Sequence, residues 1–320
     1  MEPVRIFVTT CPEMWRAEIA LEYSIYKYAR TPVSVTFLRS GDPGWRSNVD
    51  EHLTPEQARA TRPDLWNVGR AHPRCYSGEG WATPFTCFRF AIPELCGFEG
   101  RAIHMDIDFL VLKDLRPVFE HEMKSPLVGP GDCRTDFMVI DCSAFKGLDW
   151  WPSIAQMRPS GWQIEKHYKR VLQARGFMSS APHNWESWDG TDWVWHQRPT
   201  GQYFDPRQSR DFAEQDFYAV HFTNMHTQPW KPMPHNFRYP PHPQPVVAYM
   251  WWEHYAEALE KIHLGLFRPQ TLLPTGLSYS DVGQVPGVEA PRTLSGLGPD
   301  PNVQRALELE HTVPALAQRK

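Results

Sequence analysis

The sequence lacks any apolar run long enough to cross a bilayer, so no helical membrane span is expected. Its first ten residues carry Glu2 and only a short apolar stretch, unlike a secretory leader, and the chain is read as soluble and cytoplasmic. An excess of either charge is also missing. Lys and Arg number 33 against 37 Asp and Glu, a formal net charge of -4, so no global field favours nucleic acid or an anionic membrane as a partner. The six cysteines (Cys11, Cys75, Cys87, Cys96, Cys133 and Cys142) form no C-x-x-C pair. Buried free thiols in a reducing compartment are the expectation. There is no internal repeat. A glycine-rich phosphate loop with a basic residue near the N-terminus is absent too, which argues against a sugar nucleotidyltransferase.

What is abundant is proline, at 31, and tryptophan, at 14, with ten of the tryptophans at or beyond Trp150. The first implies many loops over a scaffold. The second implies either a heavy aromatic core or surfaces that stack on flat apolar faces, such as those of sugars. Residues 4–9 (VRIFVT) read as a buried strand, residues 13–28 as a helix and residues 33–38 as the next strand, the opening of an α/β unit. Residues 41–80 read as a polar surface excursion. Residues 83–95 read as a mostly buried helix ending near Pro93, and residues 101–106 as a central strand continued at 109–112. Short strands at 126–128, 137–140 and 217–222 and helices at 164–174 and 247–266 complete a mixed α/β sheet with helices on both faces. This organises residues 1–266 as one nucleotide-sugar-binding catalytic domain. Residues 267–320 form a Pro/Gly-rich extension with one helix at 302–309.

Four constellations carry chemistry. In His104-Met105-Asp106-Ile107-Asp108, an extended backbone would put Asp106 and Asp108 on one face and turn Ile107 into the body of the sheet. Two close carboxylates repel unless a cation lies between them, and hard oxygen ligands suit Mn or Mg. Second, an apolar strand delivers His221 at its end, where a neutral imidazole completes a metal's ligands or serves only the structure. Third, Thr9, Thr10 and Cys11 end the first strand, where they contact a nucleotide or simply make a turn. Fourth, Arg89 is the one charge of an apolar helix. A buried guanidinium needs a partner, either a structural carboxylate or a ligand's phosphate or hydroxyls.

These blocks resemble the family 8 glycosyltransferases of the glycogenin and bacterial lipopolysaccharide glycosyltransferase type. The matching pieces are RIFVTT with its helix (5–28), CFRFAIPEL (87–95), RAIHMDIDFLVLKDL (101–115), FMVIDCSAF (137–145), APHNW (181–185) and HFTNMHTQPW (221–230). The resemblance implies a glycosyltransferase-A fold and transfer of a hexose, with retention, from a nucleotide-sugar donor, UDP-linked, to a hydroxyl of a glycan or related acceptor. It implies that Asp106, Asp108 and His221 ligate Mn, or Mg, on the donor diphosphate, with Ile107 beside them. Thr9, Thr10 and Cys11 would contact the nucleotide, and Arg89 the sugar or phosphates.

The chain departs from the family in two places. Asn224 and Gln228 stand where the family has a Gly and a phosphate-binding Lys, and Lys231 is expected to replace that charge. The family's Asp-Gln-Asp block between residues 150 and 180 is absent. Asp136, Asp141, Glu186, Asp189 and Asp192 are the carboxylates placed to orient an acceptor, with Asp136, Asp189 and Asp192 as the catalytic candidates. Trp185, Trp188, Trp193 and Trp195 form either an acceptor platform or a packed core. The competing function is a catalytically inactive nucleotide-sugar or carbohydrate-binding protein on the same fold.

Overall fold

The structure is a computed structural model, and it describes residues 1–10, 14–39, 86–130, 134–151, 171–190, 217–223, 227–230, 242–270 and 301–313. In chain order its strands and α-helices are β1 (Val4–Thr10), α1 (Trp15–Tyr28), β2 (Val33–Arg39), α2 (Ile92–Leu95), β3 (Arg101–Asp106), β4 (Phe109–Val111), α3 (Arg116–Phe119), β5 (Leu127–Gly129), β6 (Phe137–Asp141), β7 (Met178–Ser180), β8 (Glu186–Trp188), β9 (Ala219–His221), α4 (Pro245–His263) and α5 (Pro301–Thr312). The chain divides into two compact units, and the division falls inside the D-x-D segment, between Ile107 and Asp108.

The first unit is built on a six-stranded sheet in the order β2-β1-β3-β6-β5-β7. β1 pairs in parallel with β2 and β3, β6 runs antiparallel to β3 and β5, and β7 is parallel to β5. Five strands therefore point one way, and the mixed, mostly parallel sheet expected of the glycosyltransferase-A fold is present. β1 and β3 are central because both of their faces are buried: Ile6 and Val8 on one face of β1 with Phe7 and Thr9 on the other, and Ile103 and Met105 on one face of β3 with Ala102 and His104 on the other.

The expected helix at 83–95 takes a different form. Thr86–Ala91 is a 3-10 helix, and only Ile92–Leu95 is α-helical. Pro93 explains the break, because it donates no N–H and its ring crowds the carbonyl four residues earlier. The side chains of Phe88, Phe90 and Ile92 are buried as expected. Of the cysteines, Cys142 is buried, Cys96 is half-buried and both are free thiols.

The second unit holds α1, the three-stranded sheet β4-β9-β8, α4 and α5. Its core is aromatic. Trp230, Trp251 and Tyr255 stack in series at centroid separations of 5.2 Å, and Phe222 meets Trp230 edge-on. α4 starts with Pro245 at a position that needs no N–H, and it ends with Lys261 and His263 at the negative end of its dipole.

The helix expected at 302–309 exists as α5 and is packed into this unit. Arg16 of α1 makes two hydrogen bonds, of 2.9 and 3.0 Å, to the carboxylate of Glu310, which also accepts from the Tyr255 hydroxyl at 2.8 Å. Residues 41–80 and 271–300, and most of the helix expected at 164–174, lie outside the described residues. No helix among the described residues is long and apolar enough to cross a membrane.

Candidate functional site

The D-x-D segment is not one extended run. β3 stops at Asp106, and a turn over Ile107 and Asp108 leads into β4. Alternation of faces therefore does not carry from Asp106 to Asp108, because a turn resets the two-residue period. Ile107 is buried, as expected. The two carboxylates have separate surroundings, one in each unit.

In the first unit, Arg89 is 4% exposed and its guanidinium binds Asp106 Oδ1 at 2.7 Å and the hydroxyl of Thr135 at 2.8 Å. Of the two partners that the sequence left open for Arg89, the structure supplies the carboxylate. The same Oδ1 accepts from the Thr9 hydroxyl at 3.2 Å, and Thr9 Oγ1 lies 3.3 Å from His104 Nε2. Burial, and then the charge of Arg89, push His104 well below an ordinary imidazole, so it is neutral. Thr10 is fully buried at the end of β1. Cys11 lies outside the described residues.

In the second unit, strand register assembles a cluster around His221. It is cross-strand to Phe109 on one side and to Trp188 on the other. Its ring stacks on Phe109 with centroids 4.1 Å apart and planes within 16°. Asp108 sits at the mouth of β4, its carbonyl accepting from Phe222 N at 2.8 Å. His221 Nε2 is 3.3 Å from Asp108 Oδ1, and His221 Nδ1 is 3.1 Å from Glu186 Oε2.

Gln228, 2% exposed, donates to Asp108 Oδ2 at 3.2 Å and to the carbonyl of Phe222 at 2.9 Å. Asp108 Oδ1 is buried and accepts no hydrogen bond from the described residues. A buried carboxylate oxygen left this way is costly unless something positive meets it. Cis ligands of an octahedral ion with bonds of about 2.1 Å sit about 3 Å apart, close to the spacing of this oxygen and nitrogen. A carboxylate oxygen suits Mn or Mg, and an imidazole beside it suits the later first-row divalent ions.

The catalytic candidates are engaged. Asp136 accepts from Arg134 at 3.1 Å and from Phe137 N at 3.1 Å, and its carbonyl accepts from Asp106 N at 2.8 Å. Asp189 follows β8 in a left-handed conformation, with φ of 48°, an unusual state for a residue with a side chain. Its N–H donates to the His221 carbonyl at 2.8 Å, and its carboxylate takes the Thr223 hydroxyl and lies 3.3 Å from His242 Nε2. Burial pushes that carboxyl up, but the hydrogen bonds from His242 and Thr223 outweigh it and hold it below the usual range. Asp141 instead caps the 3-10 turn Cys142–Phe145. Asp192, Asn224 and Lys231 lie outside the described residues, as do Trp193 and Trp195.

The two remaining tryptophans separate. Trp185 is 3% exposed against His121 and Phe137, whereas Trp188 is 42% exposed. Glu186 and Gln228 were the residues least marked by the sequence. Glu186 was only one of five carboxylates, and Gln228 stood out only as a departure from the family's Lys.

No family model matches the chain, and no curated protein sequence does. Among solved structures the chain is similar to the galactosyltransferase LgtC in complex with donor and acceptor sugar analogues. Identity is 12% and the TM-score 0.47, over 79% of this chain and 95% of that one. It is similar to the glycosyltransferase GlyE of Streptococcus pneumoniae TIGR4 at 13% identity and a TM-score of 0.46, over 83% of this chain and 66% of that one. For mouse xyloside xylosyltransferase 1 the values are 12% and 0.39, over 70% of this chain and 98% of that one.

Proposed function

We propose that the chain is a metal-dependent hexosyltransferase that moves a sugar from a nucleotide-sugar donor, UDP-linked, to a hydroxyl acceptor with retention. The observation that carries this reading is the pairing of the unsatisfied Asp108 Oδ1 with His221 Nε2 at 3.3 Å. These residues occupy the places that the family resemblance assigns to metal ligands, and the resemblance adds Asp106 to them. Asp108 and His221 would hold a divalent ion, which would supply charge neutralisation of the donor diphosphate in place of a protein acid.

The chain's own residues hold and orient. Gln228 fixes one oxygen of Asp108, the Phe109 ring fixes the plane of His221, and Arg89 with Thr9 fixes the Asp106 carboxylate in place. Thr9, Thr10 and Cys11 carry the nucleotide contacts that the resemblance implies. Lys231 supplies the phosphate-binding charge missing at Gln228, so Lys231→Ala weakens donor binding. The acceptor hydroxyl is oriented by a carboxylate among Asp136, Asp189 and Asp192.

A second reading, a nucleotide-sugar-binding protein without turnover, is favoured by one observation. Gln228 is committed to Asp108 and Phe222 in the place where the family's Lys meets phosphate. A panel of UDP-glucose, UDP-galactose and their N-acetylated forms separates the two without needing an acceptor. The transferase releases UDP from at least one donor when Mn is present and stops with Asp108→Asn. A binding protein titrates with the sugars and releases nothing.

A further inference from the structure

Glu186 shares its two oxygens between two neighbours in the second unit. Oε2 lies 3.1 Å from His221 Nδ1, and Oε1 accepts from the indole N–H of Trp188 at 3.1 Å. Glu186 and Trp188 stand two apart on β8 and so share a face, while β9 brings His221 alongside in register with Trp188. The Glu186 side chain is 7% exposed.

An ionised carboxylate is an acceptor only, so Nδ1 of His221 must carry a proton to meet it. Stacking on Phe109 fixes the plane of the imidazole but leaves two orientations related by a half-turn, and a stacked ring does not choose between them. Glu186 chooses. With Nδ1–H given to Glu186, Nε2 is the nitrogen that faces Asp108 Oδ1. The other oxygen fixes the indole of Trp188, whose exposed ring lies against the same carboxylate.

We propose that Glu186 is a positioning residue. Its carboxylate sets the tautomer and orientation of His221 and, in the same act, the orientation of the exposed Trp188 indole, tying the nitrogen that faces Asp108 to an exposed aromatic ring. The consequence for catalysis rests on the metal reading of Asp108 and His221, but the positioning does not. Outer partners of this kind, holding the second nitrogen of a ligating imidazole, are worth tenfold to a hundredfold in metal affinity.

The test is a long-range proton–nitrogen NMR correlation on protein labelled with nitrogen-15 in His and Trp, recorded without metal at alkaline pH. His221→Asn and Trp188→Phe assign the two signals. The proposal expects protonated Nδ1 on His221 in the wild type. In Glu186→Ala it expects loss of that preference together with a shift of the Trp188 indole signal. Glu186→Gln offers one carbonyl to two donors, so one of the two signals keeps its position and the other moves.

A wild-type His221 with bare Nδ1 and protonated Nε2 overturns the proposal, and this result needs no variant to fold. So does a Glu186→Ala protein in which both signals stay in place. Mn titration of the same samples tests the separate reading. The expected result is broadening of the His221 signals, with affinity about tenfold to a hundredfold weaker in Glu186→Ala. A correct tautomer with no Mn effect retains the positioning role and removes the metal.

Discussion

Asp108 Oδ1 faces His221 Nε2 across 3.3 Å in a buried setting, and no hydrogen bond from the described residues reaches that oxygen. The other oxygen of Asp108 is held by Gln228, and the other nitrogen of His221 by Glu186. Each outer atom has a protein partner, and on the proposed reading the inner pair takes a cation.

Gln228 stands in the place of the family's lysine but orients a carboxylate instead. Gln228→Ala is expected to weaken Mn binding about tenfold to a hundredfold. Calorimetric titration measures this, and unchanged affinity contradicts the role given to Gln228.

His104 makes stability depend on pH with a definite sign. Its pKa in the folded protein lies well below the ordinary 6.5, so beneath that pH the unfolded chain takes up a proton that the folded one refuses. This contribution is fully present above pH 6.5 and is lost as pH falls, by up to about 1.4 kcal/mol per pH unit. His104→Gln removes that slope. Urea denaturation over a pH series reads it, and parallel curves for both proteins contradict the assignment.

Arg16 and Glu310, 294 residues apart, form a buried two-bond ion pair that fastens α5 to α1. Arg16→Met leaves Glu310 buried and uncompensated, at a cost of about 3–5 kcal/mol. Arg16→Met with Glu310→Leu recovers most of that loss, because both charges go. A double mutant no more stable than the single one contradicts this.

Trp185 and Trp188 are expected to part ways. Trp185→Ala opens a cavity and costs about 3–5 kcal/mol. Trp188→Ala changes stability by only about 0.5 kcal/mol, yet raises the acceptor KM severalfold once an acceptor is in hand. Unfolding curves and KM values for the two variants decide the matter, and an unchanged KM for Trp188→Ala removes the platform.

The parts of this molecule written locally were legible in the sequence. β1 and β3 are short segments rich in apolar residues, and β3 ends at Asp106 as the residues indicate. His221 at the end of β9 was visible for the same reason. What was hidden depends on register and on distant chain. Nothing near Glu186 shows that β8 lies beside β9, which alone brings it to a histidine 35 residues away. Arg89 advertised a need for a partner but not which one. The turn at Ile107 and Asp108 was missed because an apolar-polar alternation reads as a strand even where two residues bend away. The Arg16–Glu310 contact, spanning almost the whole chain, has no local signature at either end.

The most direct test of the account is anomalous diffraction at the manganese edge from crystals grown with Mn and UDP. The predicted result is one strong peak within bonding distance of Asp108 Oδ1 and His221 Nε2, lost in Asp108→Asn. UDP bound with no peak there, or a peak held by other residues, contradicts it.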